Sequence, residues 1–170
     1  MTAMQWGKRQ DHAITLSEDG REVTTFQLEN DTTATAEVAG RTWSFELHDA
    51  TARATCGDVE WVAEAEKGFK RSKRFVARMG ERSIDFINEQ KSDWIIDEND
   101  VKLGQFTGAN HGVRHVAVDF EPDAKLDEEQ RVFLAWLSRI ALEQRLVGSS
   151  WILTVILLIL SPLILLYFFL

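Results

Sequence analysis

Up to residue 120 the chain is a series of short segments in which apolar and polar residues alternate, broken by turn residues. In "TWSFELH" the period of two puts Trp43, Phe45 and Leu47 on one face. In "VEWVAEA" it groups Val59, Trp61, Ala63 and Ala65 and leaves Glu60 and Glu64 on the other side. "RFVARM" and "RSIDFI" flank Gly80-Glu81, and "SEDGRE" separates "AITL" from "VTTFQL", both hairpin signals. In "VKLGQF" the apolar phase runs through Val101 and Leu103 and then shifts to Phe106, which predicts a bulge at Gly104. Strands are expected near 3–9, 12–17, 22–28, 33–38, 42–48, 51–56, 59–66, 73–79, 82–88, 93–97, 101–107 and 113–120. Twelve short strands at this spacing indicate an antiparallel barrel or sandwich rather than alternating β/α units.

After Phe120 the period changes. Asp127 and Gln130 stand in capping-box positions, acidic residues crowd the first turn, and Arg139 and Arg145 come later, as the helix dipole favours. A helix over 127–147 is expected. Phe133, Leu134, Trp136, Leu137, Ile140 and Ala141 cover nearly half its circumference, and Val132, Ala135, Leu142 and Leu146 add apolar surface opposite. Such a helix needs enclosure by protein on most sides.

Gly148-Ser149-Ser150 reads as a hinge between a domain of residues 1–147 and the stretch "WILTVILLILSPLILLYFFL". Residues 151–170 contain no Asp, Glu, Lys, Arg, His, Asn or Gln. About 20 apolar residues cross a hydrocarbon layer of roughly 30 Å, so a single transmembrane helix is expected there. Trp151 at one end and Tyr167, Phe168 and Phe169 at the other match interfacial aromatic belts. Pro162 is tolerated in such a helix. The opening "MTAMQWGKRQDH" lacks the apolar core of a signal peptide, and Arg139 and Arg145 precede the span. Together these predict a tail-anchored protein of the cell membrane whose N-terminal domain is cytoplasmic. The single cysteine, Cys56, fits a reducing compartment.

The net charge of −8 argues against generic nucleic-acid binding, which needs a positive field. Within that acidic chain, "KGFKRSKRFVARMGER" reverses the sign. Lys67, Lys70, Arg71, Lys73, Arg74, Arg78 and Arg82 occur there against one acid, Glu81. Three readings compete for it: attraction to anionic lipid headgroups, an acidic surface on a protein partner, or a solvated hairpin. His111 and His115 share a strand face only if both are extended, and no third residue is spaced to complete a zinc site. Cys56 has no base placed near it in sequence and reads as a small side chain at a strand end. Phosphate-binding, dinucleotide-binding and nucleophile-elbow motifs are missing from the chain, and no metal, cofactor or catalytic residue is expected.

Twelve strands followed by one apolar helix resembles the tubby-like barrel superfamily, which includes tubby C-terminal domains, phospholipid scramblases and LURP-one-related proteins. "DWIIDENDVKLGQF" is similar to that group's strand–acidic turn–strand units, and "VAVDFEPDAKLDEEQRVFLAWLSRIAL" to its last strand and central helix. The resemblance implies strands closed around the helix and binding of lipid headgroups or protein more often than catalysis. The leading functional expectation is a non-enzymatic, tail-anchored binding domain serving as an accessory or assembly subunit of a larger membrane protein complex, for example respiratory or transport. The alternative is a binder or sensor of anionic phospholipid at the cytoplasmic membrane face.

Overall fold

A computed structural model describes residues 2–90, 92–108 and 116–145. Twelve antiparallel strands form a closed barrel: β1 (Thr2–Trp6), β2 (Ala13–Glu18), β3 (Arg21–Leu28), β4 (Thr33–Val38), β5 (Arg41–His48), β6 (Thr51–Cys56), β7 (Val59–Glu64), β8 (Arg74–Met79), β9 (Arg82–Gln90), β10 (Asp93–Glu98), β11 (Val101–Thr107) and β12 (Ala117–Phe120). Consecutive strands are neighbours, and β1 closes the ring on β12 with Thr2 opposite Phe120 and Gln5 opposite Ala117. Closure leaves no free sheet edge. The shortest ladder is β3–β4, which holds only Gln27 opposite Thr35 and Leu28 opposite Ala34; farther along, the Thr24 hydroxyl donates to the Glu37 carbonyl at 2.7 Å.

A helix, α1 (128–145), follows β12 and fills the barrel. Every residue from Val132 to Ser138 is buried, as are Ile140, Ala141 and Leu142, so the helix is covered on all sides. Its start is the capping box that the sequence predicts. Gln130 N donates to Asp127 Oδ1 at 2.8 Å, and Asp127 N donates to Gln130 Oε1 at 3.2 Å. Two aromatic groups line the core around it. Trp6, Phe26, Phe45, Trp136, Phe133, Trp61 and Trp43 form one chain of ring contacts; Phe69, Phe75, Phe86, Trp94 and Phe106 form the other. Elsewhere the inward wall is thin, with Ala36 on β4, Ala52 and Ala54 on β6, Ala63 on β7 and Ala77 on β8 all buried.

The barrel has two unlike ends. Five two-residue turns, at Asp19-Gly20, Ala39-Gly40, Gly57-Asp58, Gly80-Glu81 and Asn99-Asp100, surround the start of α1. Residues 7–12, 29–32, 49–50 and 65–73 connect strands at the other end, where α1 finishes at residue 145. We call these the turn end and the exit end. The barrel wall is apolar inside and carries residues such as Glu60, Glu64, Arg74 and Arg78 outside, the reverse of a membrane-spanning barrel.

Strand order matches the sequence pattern, with differences at particular points. The first strand stops at Trp6 rather than residue 9, and the last is defined from Ala117. The bulge in β11 is present, since Ile96 pairs with Gly104 and Asp97 with Lys102, leaving Leu103 as the extra residue. Val101, expected on the apolar face with Leu103, is instead 58 % exposed beside the Asn99-Asp100 turn. A Cβ on Gly104 would lie 2.7 Å from the Asp119 carbonyl, so the bulge requires glycine there. Among the described residues no helix is long and apolar enough to cross a membrane. The expected hinge 148–150 and span 151–170, with Trp151, Tyr167, Phe168 and Phe169, lie outside the described residues, as do His111 and His115.

Ala52 and Ala54 on β6 and Ala63 on β7 are fully buried in the core. Replacing Ala54 by leucine forces extra methylenes into this packed interior. We expect a loss of about 1–3 kcal/mol, read as a lower denaturant midpoint at unchanged slope.

Candidate functional site at the exit end

The connection between β7 and β8 gathers most of the basic residues singled out in the sequence. It is pinned from inside by Phe69, buried and packed edge-on against Phe75 with ring centroids 5.1 Å apart. Gly68 has φ +73°, and a Cβ there would approach the Asp49 carbonyl to 3.0 Å, so this turn needs a glycine. Ser72 is buried as well; its hydroxyl accepts a hydrogen bond from Lys67 N at 3.1 Å, and its own N–H donates to the Gly68 carbonyl at 3.0 Å. Two inward anchors thus leave Lys67, Lys70, Arg71 and Lys73 pointing outward and exposed. None of the four has a carboxylate within 4.0 Å among the described residues.

The other three cations are placed differently. Arg74 donates to Asp85 at 2.9 Å, a contact that raises the Arg74 pKa through hydrogen bonding and then charge. Arg78 pairs with Glu64 on the outer wall. Arg82 belongs to the turn end. It bonds Glu98 Oε2 at 2.6 Å, the Lys125 carbonyl at 2.8 Å and Gln130 Oε1 at 3.1 Å, tying the β8–β9 turn to the start of α1. The seven basic residues are therefore one cluster in sequence but two in space: four unpaired cations at the exit end, and three held in ion pairs along the wall and at the turn end.

Arg145, the last described residue of α1, couples the helix to the basic loop. Its guanidinium lies over Trp94, 4.6 Å from the ring centroid, donates to the Ser72 carbonyl at 2.8 Å and to Asn88 Oδ1 at 3.0 Å. Burial lowers its pKa. In sequence Arg145 reads only as a helix-dipole or membrane-flanking charge; its role as a clasp depends on β8, β9 and β10 meeting around the helix end.

Also at the exit end, the structure contains a cavity of 440 Å³ between α1 and the β1–β5 wall. Sequence reasoning did not find it, because it is made by five strands and a helix that lies some ninety residues further along the chain. The charge of the two barrel ends also differs. The turn end carries Asp19, Asp58, Glu81 and Asp100 in its turns, together with Asp127, Glu128 and Glu129 at the start of α1. Among the described residues no group of three or more His, Cys, Asp or Glu converges to hold a metal ion. Cys56 ends β6, unpaired and half-buried. No protein-family model matches the chain, and no curated protein or solved structure matches it either.

Two tests follow from these contacts. Replacing Arg145 by alanine removes the clasp, so amide exchange in residues 65–73 should speed up selectively while the β4–β6 amides keep their protection. Glu98 is held below the usual carboxylate range, chiefly by its hydrogen bond to Arg82. Its folded pKa is the lower one, so this pair's contribution is complete above the unfolded value of about 4.3 and is lost as pH falls through the folded value. Glu98→Gln should therefore flatten the loss of stability below about pH 4.3, measured as denaturant midpoint against pH.

Proposed function

We propose that this is a non-catalytic, membrane-tethered barrel that holds its exit end against the anionic headgroups of the cytoplasmic leaflet. The observation that carries the reading is the position of Lys67, Lys70, Arg71 and Lys73 at the barrel end where α1 finishes, at residue 145. Only residues 146–150 separate α1 from Trp151, and five residues span at most about 18 Å when fully extended. If residues 151–170 cross a bilayer, with Trp151, Tyr167, Phe168 and Phe169 at its interfaces, the exit end stays within that distance of the surface. Basic side chains near an anionic leaflet each contribute about 1 kcal/mol. The acidic turn end then faces away from the membrane, an orientation that the surface potential favours. On this reading Arg74, Arg78 and Arg82 serve the barrel rather than the contact.

The twelve-stranded wall closed around an apolar helix supports a tubby-like reading of the fold, and with it a binding role in place of catalysis. The second reading, an accessory or assembly subunit of a larger membrane protein complex, rests on the same short tether, which suits a fixed partner in the membrane better than a long-range search. On that reading the exit-end cations meet an acidic partner surface instead of lipid.

Both parts of the proposal are measurable on the full chain. The protein should stay with membranes after alkaline washing; release into the supernatant would overturn the tether. In nanodiscs, acylation of Lys67, Lys70 and Lys73 by an amine reagent should be slower with anionic than with zwitterionic lipid. The difference should vanish in about 1 M salt, where charges are screened beyond about 3 Å. Equal rates in both discs at low salt would overturn the headgroup contact.

A further inference from the structure

The exit-end cavity has an apolar floor and a polar mouth. Its depth is lined by Trp6, Ile14, Phe26, Phe45, Trp136 and Ile140, and the Trp6 indole N–H is already donated to the Ala135 carbonyl at 3.1 Å. The charged groups stand at the rim in compensating pairs, Arg9 with Asp31 at 3.4 Å and Arg139 with Glu143; Arg139 also covers Trp6, 5.1 Å from its ring centroid. On the strand side of the cavity Ala34 of β4 is a small side chain directly opposite Phe45, whereas the neighbouring strands contribute the larger Ile14, Phe26 and Leu47. At 440 Å³ the cavity falls within the range of small-molecule sites, about 300–1,000 Å³.

We propose that this cavity binds one linear acyl chain, with the tail among the aromatic rings and the polar head at the rim between the two ion pairs. An occupant must be apolar at its inner end, where the walls are rings and aliphatic groups, and polar at its outer end, where the walls are charged. The balanced rim adds no net charge, so the head need only be polar. The choice of a lipid chain rests on the function proposed above, because that reading puts the mouth of the cavity within reach of a bilayer. Either a free fatty acid or one chain of a phospholipid supplies the required chemistry.

The test uses the full chain in nanodiscs and two photoreactive probes, palmitic acid with a mid-chain diazirine and phosphatidylcholine carrying the same chain. Crosslinked peptides are mapped after irradiation. Labelling is expected on the peptides containing Phe26–Leu28 and Trp136–Ile140. It should be saturable by unlabelled palmitate or phosphatidylcholine, and the probe that labels identifies whether the source is a free acid or a phospholipid. Ala34→Phe, which fills the cavity, should reduce this labelling at least tenfold while residues 151–170 are labelled as before. Competition by unlabelled lipid on the unaltered protein gives the same answer if that variant does not fold. Labelling of 151–170 with none in the cavity peptides would overturn the acyl-chain site and leave the tether standing. Cavity labelling without labelling of 151–170 would do the opposite. Unsaturable labelling spread evenly over the barrel would also overturn the site.

Discussion

The barrel and its helix each make the other possible. Eight strands make a barrel narrow enough for its own side chains to fill; twelve enclose a wider space that needs another occupant. A helix apolar around its whole circumference has no stable exposure to water. Burying α1 inside the ring satisfies both conditions, and the fit is set by side-chain size. Bulky rings from β1, β3, β5, β8, β9, β10 and β11 and the small side chains Ala52, Ala54, Ala63 and Ala77 are all buried in this interior, and Phe45 and Trp61 touch the helix rings Trp136 and Phe133. Ser138, polar in the middle of this packing, is accommodated because its hydroxyl donates to the Leu134 carbonyl at 2.8 Å.

Once the helix is fixed, the two ends of the barrel take on different character. The strands run up and down, so five two-residue turns gather at one end, and the longer connections 7–12, 29–32 and 65–73 fall at the other together with the short turn at 49–50. The helix enters among the turns, where Asp127, Glu128 and Glu129 complement its dipole, Arg82 of β9 bonds its Gln130, and its Arg131 pairs with Glu18 of β2. It leaves among the longer connections, where Arg139 and Arg145 suit the opposite end of the dipole. Trp43 adds a bond from the wall to Glu129, at 2.9 Å. The start of α1 is thus tied by polar contacts all round, whereas toward its C-terminus the helix is tied to one side by Arg145 and faces a cavity on the other. A site open to ligand or membrane is more easily built at that end.

Much of this architecture was legible in the sequence, and the failures are instructive. The period-two pattern located all twelve strands, and Asp127 with Gln130 located the start of the helix through a local, reciprocal pair of hydrogen bonds. Val101 was assigned to the core because alternation is counted along one strand. Its actual exposure depends on where the turn before β11 begins and on the extra residue at Leu103. The basic run from Lys67 to Arg82 looked like one patch because it is contiguous in the chain. Arg74, the first residue of β8, is taken up by Asp85 of β9, and because a strand carries successive residues about 3.3 Å farther along its axis, β8 takes Arg78 away from the loop and the following turn delivers Arg82 to the opposite end.

By itself the sequence determined the elements: which residues alternate, where turns interrupt them, where the period changes to that of a helix, and that twenty uncharged residues follow. Those properties are local, fixed by backbone geometry and by each side chain's partition between water and an apolar surface. Only the tertiary structure decided that the strands close on one another, that four cations remain unpaired while three are neutralised, that Arg145 clasps the basic loop, and that a cavity lined by Ala34 and Trp136 opens at the exit end. These outcomes depend on distances between residues far apart in the chain, and such distances exist only after the ring has closed around the helix.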